Sequence, residues 1–332
     1  MTHFLKTSDF PVERLDGFVK RAIEMKRQRD GAITLAGKSI ALVFFNPSLR
    51  TRASMQIGIH ELGGNPVILE PGSTSWTLEH REGVVMDGDK TEHLKEFVRV
   101  LERYVSAIGV RTFAELKDWE LERTDPVLNA FAKYATVPVI NLESAMHHPC
   151  QAMADMMTVR ERYGTQKKKV LLTWAWHPKP LPMAVPNSFA LAAAQFGHGL
   201  RIAHPKGYEL DDELIEEIKQ HASLNGSNVE FTSDVDEAFE GVDVVYAKSW
   251  GSKEFYGDAN GDIRARLAYR DKWIIDEPKM QRTNNGIFMH CLPVRRNVVV
   301  TDAVIDSPNS SVIEEAENRL HVQKAIMSEL IK

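Results

Sequence analysis

Within the run Phe45-Asn46-Pro47-Ser48-Leu49-Arg50-Thr51-Arg52, two hydroxyls and two guanidiniums fall within five consecutive residues. An apolar stretch, Ile40 to Phe44, precedes the run and reads as a buried strand; Ala53 to Leu62 follows it and reads as a helix. Asn46-Pro47 breaks the strand, and Ser48 suits an N-cap. Free backbone N–H groups and the positive dipole end at a helix start favour a small dianion such as a phosphate. Arg50 can add a bidentate grip. A lone S-x-R is more often a plain cap with solvated arginines; S-x-R-T-R straight after a buried strand is a more specific pattern.

Other reactive side chains recur at strand ends, where open parallel sheets bind ligands. Arg111 follows the strand read over Val105 to Val110. Glu143 and then His148-Pro149-Cys150-Gln151 follow Thr136 to Leu142. A helix is expected from Pro149 to Tyr163, with proline at a permitted first-turn position, so His148 stands at a helix start; neighbouring His147 has no pattern behind it. Lys248-Ser249-Trp250 follows the strand read over Val242 to Ala247, where a lysine can meet a carboxylate. Between the strand Val170 to Trp174 and the helix Met183 to Phe196 lies His177-Pro178-Lys179-Pro180-Leu181-Pro182, a loop stiffened by its prolines. The strand Gly286 to His290 closes in Cys291-Leu292-Pro293. The final helix, Glu314 to Ile331, carries Glu317-Asn318-Arg319 and is expected to pack back across the first half, bringing Arg319 to the phosphate. Trp76 ends the polar loop Glu70 to Trp76 after the strand Pro66 to Leu69, and a second polar loop, Met86 to His93, precedes a helix from Leu94 to Tyr104.

The elements that must carry these residues alternate strand and helix, with further pieces at Leu200 to Ala203, Asp211 to Leu224 and Val229 to Thr232. That alternation predicts parallel sheets with right-handed crossovers. Val12 to Arg27 reads as an amphipathic packing helix, capped by Ser8 or Asp9. At 332 residues, 43% of them hydrophobic, the chain can bury a real core and suits two domains. The expected fold is α/β, two doubly wound parallel-sheet domains joined by interdomain helices. The expected division is 1–150 and 151–313, with 314–332 packing back on the first part. A net charge of -5 argues against nucleic acid and a membrane surface as partners. No apolar run reaches membrane-spanning length, the N-terminus lacks a signal-peptide core, and the two cysteines imply no disulfide framework, so a cytoplasmic location is expected. No C-x-x-C, H-E-x-x-H or G-x-G-x-x-G occurs, which speaks against a metal or a dinucleotide cofactor.

Taken in order, S-x-R-T-R, the post-strand Arg111, H-P-x-Q, H-C-L-P and a C-terminal arginine resemble the site segments of the aspartate and ornithine carbamoyltransferases, over nearly the full chain. The Asp-x-x-x-Ser-Met-Gly segment with which ornithine enzymes recognise a free α-amino group is absent. In its place stand Trp174-Ala175-Trp176-His177-Pro178-Lys179-Pro180-Leu181-Pro182 and Ala247-Lys248-Ser249-Trp250. With F-F-N-P-S-L-R-T-R, M-D-G-D and E-A-E-N-R, these resemble the N-acylornithine branch of the family, used in arginine biosynthesis.

The resemblance implies a homotrimer with sites at subunit interfaces and no cofactor. It implies that Ser48, Leu49, Arg50, Thr51, Gln151 and Arg319 bind carbamoyl phosphate, with Trp76 reaching the neighbouring subunit's site. Thr51, Arg111 and His148 would polarise the carbamoyl oxygen. The carbonyls of Cys291 and Leu292 would accept from the carbamoyl NH2 and the attacking amine, and Glu143, His177, Lys248 and Leu292 would hold the acylornithine. Thr91 stands where acetyl-type sequences carry a glutamate and succinyl-type ones a proline, and Val299 where the acetyl type has a lysine. With no carboxylate to repel a succinyl tail, the expected acceptor is N2-succinyl-L-ornithine, giving N-succinyl-L-citrulline and phosphate. N2-acetyl-L-ornithine is the alternative acceptor, and a non-catalytic carbamoyl-phosphate-binding subunit the alternative of another class.

Overall fold

The structure, a computed structural model, describes residues 2–28 and 33–332. Short apolar runs form two parallel sheets, and helices cover them. The first sheet holds β1 (Ser39–Phe44), β2 (Asn65–Leu69), β5 (Ala107–Arg111) and β6 (Val139–Glu143) in the order β2-β1-β5-β6. Between β2 and β5 a small separate ribbon pairs β3 (Leu78–Glu79) with β4 (Glu92–His93). The second sheet holds β7 (Lys169–Trp174), β8 (Gly199–Ala203), β9 (Val229–Thr232), β10 (Val244–Lys248) and β11 (Ile287–Met289) in the order β11-β10-β7-β8-β9. Strands buried on both faces need no polar alternation, and β1, β5, β6, β7 and β10 are accordingly near-continuous apolar runs.

Each sheet reverses its winding once. The chain leaves β1 toward β2 and returns on the other side as β5; it leaves β7 toward β8 and β9 and returns on the other side as β10. At such a switch point the two flanking crossovers part and open a crevice beyond the carboxyl ends of the strands. The registers put Phe44 beside Arg111 at one switch point and Trp174 beside Lys248 at the other.

Two helices tie the halves together. The helix Pro149–Tyr163 is buried continuously from Pro149 to Val159, and the C-terminal helix Val312–Leu330 packs on it, on Val12–Arg27 and on Arg50–Glu61. Polar side chains stitch the C-terminal helix in place. Asn318 donates to Thr158 Oγ1 (2.9 Å) and Glu161 Oε2 (2.7 Å), and buried Lys324 pairs with Glu61 at 2.6 Å. Gly58 permits the close approach, since a Cβ there would lie 3.3 Å from both Leu320 Cδ1 and Lys324 Cγ.

Several boundaries differ from the sequence reading. The phosphate-loop helix begins at Arg50 rather than Ala53, because its first turn is tied by Ser48 Oγ accepting from the Thr51 N–H at 3.3 Å. Arg111 and Lys248 are the last residues of their strands, not the residues after them. The first long helix is preceded by Pro11 without a side-chain cap; Ser8 and Asp9 belong to a 3-10 turn, and the Ser8 hydroxyl donates to Glu217 instead. The helix after the second polar loop ends at Leu101. The helices Pro126–Tyr134 and Ala259–Arg266 have no counterpart in the sequence reading.

Candidate active site

Both switch points face one cleft of about 690 Å³. Its lining comes from the β1 loop and the helix after it, the ends of β5 and β6, the start of the helix Pro149–Tyr163, the loops after β7, β10 and β11, and the C-terminal helix. Ser48, Leu49, Arg50, Thr51, Arg111, Glu143, His148, Gln151, His177, Lys248, Cys291, Leu292 and Arg319 all line it, although they are drawn from nearly the whole chain.

One end of the cleft is buried and cross-linked. Arg319 donates to Thr51 Oγ1 at 2.7 Å and to Gln151 Oε1 at 2.9 Å. Because the Thr51 hydroxyl accepts there, its own proton is free to point into the cleft. Behind Gln151, its amide donates to Asp155 Oδ1 (2.8 Å) and Glu315 Oε1 (2.9 Å). Burial pushes Asp155 up to about 7 and Glu315 well above the ordinary carboxyl range, with the Asp155 charge adding to the rise of Glu315. Glu315 also accepts from the His290 N–H at 2.9 Å and so fixes the start of the H-C-L-P segment. In that segment Leu292 sits at φ +48°, a left-handed conformation that costs a leucine about 1–2 kcal/mol, and the Leu292–Pro293 peptide is cis.

At the same end Arg111 lies over the Phe113 ring at 4.1 Å and donates to Glu143 Oε2. His148 Nε2 lies 3.4 Å from the same carboxylate oxygen. Burial, with Arg319, Arg111 and Lys248 nearby, holds the His148 imidazole well below its ordinary pKa, so it is neutral and carries one N–H. Its backbone is pinned too: the His148 N–H donates to Ser188 Oγ at 2.7 Å. Asp125 grips the preceding turn through Ser144 Oγ (2.7 Å) and the Ala145 N–H (2.8 Å).

The other end is open. His177, half-buried, accepts from the Lys179 N–H through Nδ1 at 3.1 Å and meets Arg295 Nε through Nε2 at 3.1 Å. Lys248 and Arg295 face this end, and neither pairs with a carboxylate among the described residues. Leu181, Pro182, Val185 and Val299 supply an apolar wall.

Two of the expected site residues lie elsewhere in this chain. Trp76 is 55% exposed and donates from its indole to Glu92 at 2.6 Å; Thr91, next to that glutamate, is exposed beside the β3–β4 ribbon. Glu143, expected to hold the acceptor, lines the cleft, and its carboxylate accepts from Arg111 at the buried end because β6 lies beside β5. The reading by sequence missed Arg295, Ser249, Val185 and the Asp155–Glu315 pair. Arg295 carried a usable signal, standing two residues after H-C-L-P; the buried pair carried none, since its members are far apart in sequence. Among the described residues no group of His, Cys, Asp and Glu could hold a metal ion, and no helix is long and apolar enough to cross a membrane.

Residues 2–161 match the family model for the aspartate/ornithine carbamoyltransferase carbamoyl-P binding domain, and residues 182–330 that for the Asp/Orn binding domain. The chain is 48% identical over 335 residues to an N-acetylornithine carbamoyltransferase of Xanthomonas campestris, covering 100% of this chain and 98% of that one. It is 41% identical over 319 residues to an N-succinylornithine carbamoyltransferase of Bacteroides thetaiotaomicron, covering 96% of this chain and 95% of that one. Among solved structures, an acetylornithine transcarbamylase complexed with acetylcitrulline matches at a TM-score of 0.98 and 48% identity, over 100% of both chains.

Proposed function

The chain belongs to the aspartate/ornithine carbamoyltransferase family, and from that premise we propose that it carries the carbamoyl group of carbamoyl phosphate to the δ-amine of an N2-acyl-L-ornithine. The observation that carries this reading is the convergence of Thr51, Arg111, His148, Gln151 and Arg319 at one buried end, opposite Lys248 and Arg295, which pair with no carboxylate among the described residues. The first part of the chain would bind carbamoyl phosphate and the second the acylornithine.

Ser48, Arg50, Thr51 and Arg319 hold the phosphate, whose charge suits the start of the Arg50–Glu61 helix. The Thr51 hydroxyl, Arg111 and the neutral His148 N–H donate to the carbamoyl oxygen, where negative charge grows as the δ-amine attacks. The Cys291 and Leu292 carbonyls orient the carbamoyl NH2 and the amine. The C–O bond to phosphate breaks as the C–N bond forms, and the departing phosphate takes the amine proton. Everything else is positioning. Trp76 belongs to the neighbouring subunit's site in a homotrimer, in keeping with its exposure and its distance from this chain's own cleft.

The acceptor's acyl group is read as succinyl. Arg50, Arg111, Arg319, Lys248 and Arg295 face the cleft against one carboxylate, Glu143. Carbamoyl phosphate and one α-carboxylate leave a positive charge unmatched, and a succinyl carboxylate would match it. Thr91 adds no opposing charge, and Val299 adds no further cation. The acetyl reading has the support of the higher identity, 48% against 41%. A colorimetric assay of the ureido product, run with the succinyl, acetyl, free ornithine and aspartate acceptors in turn, tests all of this. Turnover with neither acylornithine would end the proposal, and kcat/KM favouring acetylornithine would replace the acyl assignment.

A further inference from the structure

Arg266 is fully buried and does not line the cleft, yet it touches both loops that line the open end. From the end of the helix Ala259–Arg266 its guanidinium donates to the carbonyls of His177 (3.1 Å) and Lys179 (2.9 Å), in the loop after β7. It also donates to the Trp250 carbonyl (3.2 Å) and to Ser249 Oγ (3.4 Å), in the loop after β10. Its counter-charge is Asp262, one turn earlier on the same helix, at 2.6 Å. That carboxylate is itself committed, accepting from Tyr208 Oη at 3.0 Å and from the Ser252 N–H at 2.9 Å. The Trp174 and Tyr208 rings flank the cation at 5.7 and 5.5 Å.

A buried ion pair gains little stability over apolar packing of the same volume. A planar fork that reaches several carbonyls at once does something an apolar group cannot, because it sets the separation of the segments it bridges. The two bridged segments present His177 and, next to Ser249, Lys248, while Gly251 N–H to Leu181 O (2.9 Å) ties the same loops a second time. Among the described residues no comparable link runs from Arg266 to the buried end.

We propose that Arg266, held by Asp262, is a positioning residue that sets the spacing of His177 and Lys248 and thereby governs acceptor recognition without touching the acceptor. This rests on the reading of the open end as the acylornithine subsite. An acceptor spanning both loops loses contact with one of them when they move apart, whereas carbamoyl phosphate at the buried end does not.

The test compares wild type with Arg266→Lys and Arg266→Met. Circular dichroism reports folding, titration calorimetry reports carbamoyl phosphate affinity, and steady-state kinetics at saturating carbamoyl phosphate report the acylornithine KM. Lysine keeps the charge beside Asp262 but cannot bridge the two loops, so it decides the matter if the methionine variant does not fold. The expected result is an acylornithine KM raised about tenfold or more, with carbamoyl phosphate affinity changed less than about twofold and the lysine variant no better than partly restored. An unchanged acceptor KM, or equal losses for both ligands, overturns the assignment. A wild-type chain inactive with every acylornithine overturns the functional reading itself, a result distinct from active wild type with indifferent variants.

Discussion

The two ends of the cleft are built in opposite ways. At the buried end four of the expected residues are tied to protein partners before any ligand arrives: Thr51 and Gln151 to Arg319, Arg111 to Glu143, and the His148 backbone to Ser188. At the open end Lys248 and Arg295 have no carboxylate partner among the described residues, and His177 is only half-buried. Preorganised donors suit the place where charge develops in a transition state, because no reorganisation is needed at the moment of reaction. Unpaired cations in partial solvent suit ground-state recognition of a carboxylate that the ligand itself brings.

The contrast breaks most visibly at Arg111. Replacing it with alanine removes a donor to the developing oxyanion and is expected to lower kcat about 10²–10³-fold while acylornithine KM moves far less. A variant with normal kcat would take Arg111 out of the chemistry. At the other end Lys248→Ala should do the reverse, raising acylornithine KM about tenfold or more with kcat nearly intact; a purely kcat effect would erase the distinction between the ends. A smaller and more selective effect is expected from Thr91→Glu. By adding a negative charge it should depress kcat/KM for succinylornithine by up to about tenfold relative to acetylornithine, read as the ratio of the two in the same assay.

Acidification sharpens the comparison further. His148 is kept neutral in the fold, so its folded pKa lies below the unfolded value of about 6.5. Below that pH the unfolded chain binds a proton that the native state refuses. The stability this histidine contributes is therefore present above about pH 6.5 and lost as pH falls, at up to about 1.4 kcal/mol per pH unit. Urea midpoints at pH 7 and pH 5 should fall less in His148→Gln than in wild type, and equal falls would mean that His148 titrates normally.

Much of the site was legible before folding because strand ends are legible. β1, β5, β6 and β10 are short apolar runs, and the residue at or just past each end is where an open parallel sheet binds. Helix starts marked by proline or by a hydroxyl were readable for the same local reason, and Pro149–Tyr163 was located to the residue. The helix Pro126–Tyr134 escaped because its buried Leu128 and Phe131 make too short a stripe, after an Asp125 in left-handed backbone that no local pattern announces. The C-terminal helix has a burial that its composition hides, since Asn318, Arg319, Gln323 and Lys324 are all inside.

The order of the chemical segments, the α/β alternation and the family were determined by the sequence alone, because each depends on neighbours within a few residues. The partners were decided only by the tertiary structure. Arg319 meets Thr51 across 268 positions, Glu143 goes to Arg111 rather than to the open end, and Arg266 joins two loops that nothing in the sequence links. Such pairings follow from sheet order and helix packing, which bring together charges that the chain holds far apart, and in a low-dielectric interior those charges must find one another.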